Sequence, residues 1–457
     1  MSEHHQHSLE TISNLNELRT QAKEEILTLE QLIDAHRQLY KLKKYLECSQ
    51  ESSEDKLDTI RHNLSAIVGF EHIDQNAEYT QESLGDFIKS IGQGFRNLRH
   101  RISNRRRAIF DNIQQELRNL ETREQRLNQT IEQLKRSPVD TTTDKVTVDF
   151  GKYLHIDGTM EPEKFIDTFI ERDQLVVKYR QFLYEFAQEL LAHVRQYQNR
   201  GYRTLIDVNE SGGSSIKAQI EIAKLQYEAR VQADELTQKY QDTSEEYLYQ
   251  ELPGGMVFVP LEDPFFLFGF YRGEEEPIIP KIENRTRMGS YKEREEVSVA
   301  SIDQIDELIK KSLNPGISDL RGSFNTSKEI VTAAESLEDA SEYVTPIIQK
   351  FSEDVGLVDV NDIDRQIEDV RHARKLSDEE KQKKIEKLEQ DRRILIEEYN
   401  EQMEENVRIA FDNFYGNHLM LWMSFLSESI MEYHEYRLTT LIGLTEYIER
   451  MLGAYRE

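Results

Sequence analysis

Residues 82–107 read ESLGDFIKSIGQGFRNLRHRISNRRR. Phe87, Ile88, Ile91, Phe95, Leu98 and Ile102 recur at steps of three and four, the spacing that gathers side chains into one stripe of a helix. The same stretch carries Lys89, Arg96, Arg99, Arg101, Arg105, Arg106 and Arg107, and no acidic residue occurs from Phe87 to Phe110. The chain around it has a formal net charge of −28. A basic amphipathic helix inside an acidic protein fits three surfaces: a membrane interface, a partner helix, or a polyanion such as packaged nucleic acid. It fits equally a coiled-coil segment with a solvated charged face. The seven cations are therefore candidate polyanion-binding residues.

Working outward, the periodicity continues through Ile109, Ile113, Leu117, Leu120, Leu127, Ile131 and Leu134 and stops at Ser137-Pro138. The spacing predicts one helix from Leu84 to Arg136, near 75 Å long at about 1.5 Å per residue. A helix of that length needs a coiled-coil or hairpin partner. Gly92 and Gly94 inside it weaken it by about 1 kcal/mol each relative to alanine. As a nucleotide fingerprint Gly92-Gln93-Gly94 fails, because no strand precedes it and Asn97 stands at the third glycine position. Toward the amino terminus, Leu15, Leu18, Ala22, Ile26, Leu29, Ile33, Tyr40 and Leu46 predict another long amphipathic helix, broken by the polar run Glu51 to Asp55. A shorter helix is expected from Lys56 to Gly69.

Composition agrees with long solvated helices and narrow apolar seams. Charged residues make up 32% and hydrophobic ones 37% of 457 residues, with nine prolines and one tryptophan. The acidic balance disfavours nucleic-acid binding by the chain as a whole and leaves it to local basic patches. Cys48 is the single cysteine, which excludes an intrachain disulfide and a cysteine-based zinc cluster. No secretory signal is expected at MSEHHQHSLE, and no apolar run reaches the ~18 residues of a spanning helix. His4, His5 and His7 read as a polar terminus sooner than as a metal site.

The second half alternates helices with one β-rich interval. Val146, Val148 and Phe150 suggest a short strand, and Pro162 opens a helix with Phe165, Phe169, Val176, Leu183, Phe186, Leu190 and Val194 on its apolar side. Ser211 to Ser215 reads as a linker. After Leu252-Pro253-Gly254-Gly255, strands are expected at Met256 to Val259 and Phe265 to Tyr271, with Val297 and Val299 as a third. Ser301 and Gln304 have capping-box spacing and start a helix expected to stop at Pro315-Gly316. Further helix is expected from Ser327 to about Phe351 and from Ser377 onward. After Asn417 the density of Trp422, Phe425, Ile430, Leu438, Leu441 and Ile448 predicts the best buried helix of the chain.

The fold expected is thus mostly α, an elongated long-helix or coiled-coil bundle with a small β insert. Its expected parts are an acidic leader (1–82), the basic helix (83–137), a helical region with linkers (138–250), the β insert (251–300) and a carboxy-terminal helical region (301–457). There is no HExxH, serine elbow or Walker sequence, and the twelve histidines lack ligand spacing, so no catalytic, cofactor or metal residue is assigned.

The order of these parts resembles the internal virion proteins of large tailed bacteriophages, including those carried in the heads of jumbo phages. An acidic helical leader is followed by ESLGDFIKSIGQGFRNLRHRI, a long helical region, an LPGG turn into a β insert, and an apolar carboxy-terminal helix. The resemblance implies a non-enzymatic structural protein inside the capsid, in contact with other virion proteins and the packaged DNA, ejected with the genome, and self-associating through its long helices. It also implies a head protease that cuts after glutamate, with Glu51, Glu54 and Glu82 as candidate sites. The leader to Glu82 holds 16 acidic and 8 basic side chains, so its loss removes a net −8. The alternative is a peripheral membrane adaptor, with the phenylalanines of the basic helix in lipid and its arginines on anionic head groups.

Overall fold

The computed structural model describes residues 3–48, 81–137, 139–156, 158–210, single positions between 220 and 240, and then 250–259, 281–284, 294–338, 361–372, 379–394 and 419–455. The expected helix at 56–69, the linker at 211–215, the strand at 265–271 and the end of the helix expected to run to Phe351 lie outside them.

Helix α1 spans Glu3–Cys48 and α2 spans Gln81–Arg136, and they pack side by side. The seam is made by Ile12, Leu15, Ala22, Ile26 and Leu29 of α1 against the α2 stripe, where Leu98, Ile102, Ile109, Ile113 and Leu117 are buried. Strand β1 (Lys145–Val148) and a 3-10 turn (Gly151–Tyr153) lead into α3 (Pro162–Glu210), whose Phe165, Phe169, Phe182 and Phe186 enter the core. Leu225 and Tyr240 add to that core from the helical positions between 220 and 240.

The β structure differs from expectation in its pairing. β2 (Met256–Val259) is antiparallel to β3 (Lys281–Asn284), which the sequence reading missed. β4 (Glu295–Ser298) pairs instead with the distant β1, Val146 opposite Val297. Among the described residues two separate two-stranded sheets result, where a single β insert was expected. Alternation reports a half-buried strand and is silent about its neighbour, which explains the error. Each sheet is anchored by packing: Phe258 of β2 stacks on Tyr179 of α3 with centroids 3.7 Å apart, and Arg450 reaches Asp149 after β1 at 2.8 Å. The LPGG turn needs its glycines. Gly254 and Gly255 have φ of 79° and 70°, and a Cβ on Gly254 would lie 3.1 Å from the Lys152 carbonyl oxygen.

The capping box at Ser301 and Gln304 is formed and opens α4 (Ile302–Leu308). The helical run does not stop at Pro315. A π turn, Ile309–Leu313, carries it into α5 (Asn314–Glu338). Proline removes its own N–H and its ring crowds the carbonyl four residues earlier, and the wider turn at Ile309–Leu313 gives room for both, so the chain continues as helix. Gly316 then has a packing role: a Cβ there would meet Arg437 Nη2 at 2.5 Å and Leu441 Cδ2 at 2.7 Å. Helix α6 (Asn361–His372) and helical residues 379–394 follow.

The last helix, α7 (Leu419–Gly453), is the centre of the molecule. Nearly every side chain from Met423 to Leu452 is buried, and α1, α2, α3, α5 and β1 all pack on it. No described helix is long and apolar enough to cross a membrane.

Candidate polyanion-binding site

The seven candidate cations all lie within the span of α2. Helical geometry turns successive residues by about 100° and so divides them between faces. Arg106 falls four residues after Ile102 and three before Ile109, inside the apolar stripe. Its side chain is only 1% exposed, 3.5 Å from Glu335 of α5, and it donates to the Ser424 carbonyl of α7 at 3.2 Å. Arg106 therefore ties three helices together and does not stand on the solvent face. Arg101 and Arg105 point toward α1, where both meet Glu25, at 2.7 Å and 3.8 Å. Arg101 nevertheless keeps 63% of its side chain in solvent. Arg99 is half-buried, and Arg107 is exposed with no ion pair among the described residues. Lys89 and Arg96 lie earlier in the same helix. The structure thus brings Arg101 and Arg105 together around Glu25 and takes Arg106 away.

Leu98 and Ile102, the described part of the apolar stripe, pack against Ile26 and Leu29 of α1. On these residues the stripe is a helix seam. Of the candidate cleavage residues, Glu82 lies in the first turn of α2, and Glu51 and Glu54 lie outside the described residues.

Charged side chains missed by the sequence reading form a second layer. Arg123 of α2 binds Glu446 at 2.7 Å and Glu449 at 2.8 Å on α7, and donates to Ser8 of α1 at 3.3 Å. Glu116 accepts from Thr11 at 2.9 Å and lies 2.7 Å from His7. Lys135 and Lys310 converge on Asp306 at 2.6 Å and 2.8 Å. Burial alone would raise the Asp306 carboxyl, but the two ammonium groups hold it below its ordinary value. Deepest of all, Arg437 of α7 grips Asp173 of α3 with both ends of its guanidinium, Nη2 to Oδ2 at 3.1 Å, and Arg437 is fully enclosed.

One serine and histidine pair has the residue types of a nucleophile and its base. Ser327 bonds His434 Nε2, and Tyr184 joins them, its hydroxyl 2.8 Å from the same nitrogen. Ser327 and His434 have no solvent exposure, so no substrate reaches them. Burial, with Arg180 adding to it, pushes His434 down to about 3 and keeps it neutral. The trio satisfies buried polar groups between α3, α5 and α7. No group of acidic, histidine or cysteine side chains among the described residues could hold a metal ion.

No curated protein and no solved structure matches the chain. A family profile does: that of the phiKZ-like phage internal head proteins aligns with residues 15–351, from within α1 to beyond α5. With well over half of its residues matched, the chain belongs to the phiKZ-like phage internal head proteins, and its place is inside the virion capsid.

Proposed function

We propose that this internal head protein is structural, without catalysis, and that it touches the packaged genome through the amino-terminal half of α2. The observation that supports this reading is the solvent side of residues 99–107. Arg101 and Arg107 are exposed and Arg105 partly so, on one helix without a carboxylate of its own from Phe87 to Phe110. Each arginine that neutralises a phosphate releases condensed counterions, while the surrounding negative charge limits indiscriminate attachment. Lys89 and Arg96 precede these residues in the same helix. Travel with the genome at ejection belongs to the same reading. The membrane alternative has less support, because Leu98, one of its lipid-facing residues, is 6% exposed under α1.

Cleavage after Glu51, Glu54 or Glu82 would strengthen this role. It would remove α1, release Arg101 and Arg105 from Glu25, and uncover Leu98 and Ile102 as a seam for other copies. The test is duplex-DNA binding by the full chain at a series of salt concentrations. The logarithm of affinity should fall with log salt by about 0.9 per phosphate engaged, and Arg101→Ala, Arg105→Ala and Arg107→Ala together should flatten that slope by about two to three. An unchanged slope, or binding to anionic vesicles that depends on Phe87 and Phe95, contradicts the proposal.

A further inference from the structure

Beneath α1, helix α7 presents Glu428, Glu432 and Glu435 on one face, at steps of four and three. All three are buried, each no more than 6% exposed. What covers them is α1. Its Arg19 pairs with Glu432 and lies 4.0 Å from Glu428 and 3.7 Å from Glu435, and its Lys23 lies 3.3 Å from Glu432. From α2, Arg106 faces Glu428 but is shared with Glu335 of α5. Three carboxylates therefore meet two cations of their own and part of a third. Both oxygens of Glu428 and Oε1 of Glu435 accept no hydrogen bond among the described residues. Two or three negative charges held this way are costly, and a bound proton is the simplest relief.

We propose that this interface is a proton-gated latch: α1 stays seated on α7 while Glu428 or Glu435 keeps its proton, and lifts when both ionise. Burial pushes Glu435 up to about 8, against the pull of Arg19 and with the charge of Glu428 adding to the rise. Burial raises Glu428 as well, opposed by Lys23, Arg19 and Arg106. Once α1 lifts, both carboxyls meet water and return toward the ordinary value of about 4.3. A carboxyl whose seated value exceeds its free value favours seating at low pH. That contribution is complete below about pH 4.3, shrinks about tenfold per pH unit for one group, and is gone above about 8. Lifting also takes Glu25 away from Arg101 and Arg105. That consequence rests on the polyanion reading above; the latch does not.

Hydrogen exchange on the full chain from about pH 5 to about pH 9, corrected for the intrinsic chemistry, tests the latch without any DNA. Protection over residues 8–29 should fall roughly a hundredfold or more across that window, while α3 and α5 hold theirs. Glu428→Gln with Glu435→Gln supplies neutral side chains of the same shape and should flatten the profile. A flat wild-type profile overturns the proposal, and this arm needs no variant to fold. So does a fall that survives in the double variant, or one in which α3 and α5 lose protection in step.

Discussion

The α1 seam and the α7 core are both helix packings that include charge, and they place that charge differently. α7 is enclosed from Met423 to Leu452, and its central ion pair, Arg437 with Asp173, is buried on both partners. α1 offers a single apolar stripe, from Ile12 to Leu29, bordered by Arg19, Lys23 and Glu25. Removing either partner of the α3–α7 pair would leave a charge buried without its bidentate partner. Separating α1 from its neighbours hydrates every ion it pairs with. The first interface is the more deeply buried, and under the proposals above the second is the layer that leaves.

The largest effect is expected at the core. Asp173→Ala leaves the Arg437 guanidinium buried with only Asp319 in reach, a carboxylate already paired with Arg180, and should lower global stability by about 3–5 kcal/mol in urea unfolding. A loss under ~1 kcal/mol would mean that this pair resembles a surface one. Next, Leu29→Ala removes a fully buried seam side chain, and about 2–3 kcal/mol should be lost locally. Hydrogen exchange should rise over residues 8–29 and stay unchanged over α7; equal loss in both would break the distinction drawn here. Gly316→Ala should cost about 1–3 kcal/mol, because its methyl meets Arg437 and Leu441. Gly322→Ala, in the same helix with nothing within 4 Å, should instead gain up to ~1 kcal/mol. Smallest is Arg101→Ala, whose solvated pair with Glu25 is worth about 1 kcal/mol or less.

These differences also mark what could be read in the chain beforehand. The two long helices, the capping box at Ser301 and the buried carboxy-terminal helix were legible, because period and cap chemistry are local signals. Arg106 was legible too, by its place between Ile102 and Ile109, and it was misread because a run of arginines suggests a single face. Arg437 and Asp173 carry the same mark: each stands at a stripe position, Arg437 between Tyr433 and Leu441, Asp173 between Phe169 and Val176. A charge on an apolar stripe announces a buried partner but not which one. The pairing of β1 with β4, some 150 residues apart, and the passage of the helix through Pro315 were not legible. Both depend on tertiary packing around α7, which no window of sequence contains. The matched family residues end at 351, ahead of α7, so the helix that organises the core lies outside the alignment.

The claim that α1 is a removable layer on a permanent core is tested most directly in the particle. Quantitative peptide mapping of purified virions should find residues 419–453 at full abundance, residues 9–44 depleted, and new amino termini after Glu51, Glu54 or Glu82. Equal abundance of the two segments in mature particles would contradict it.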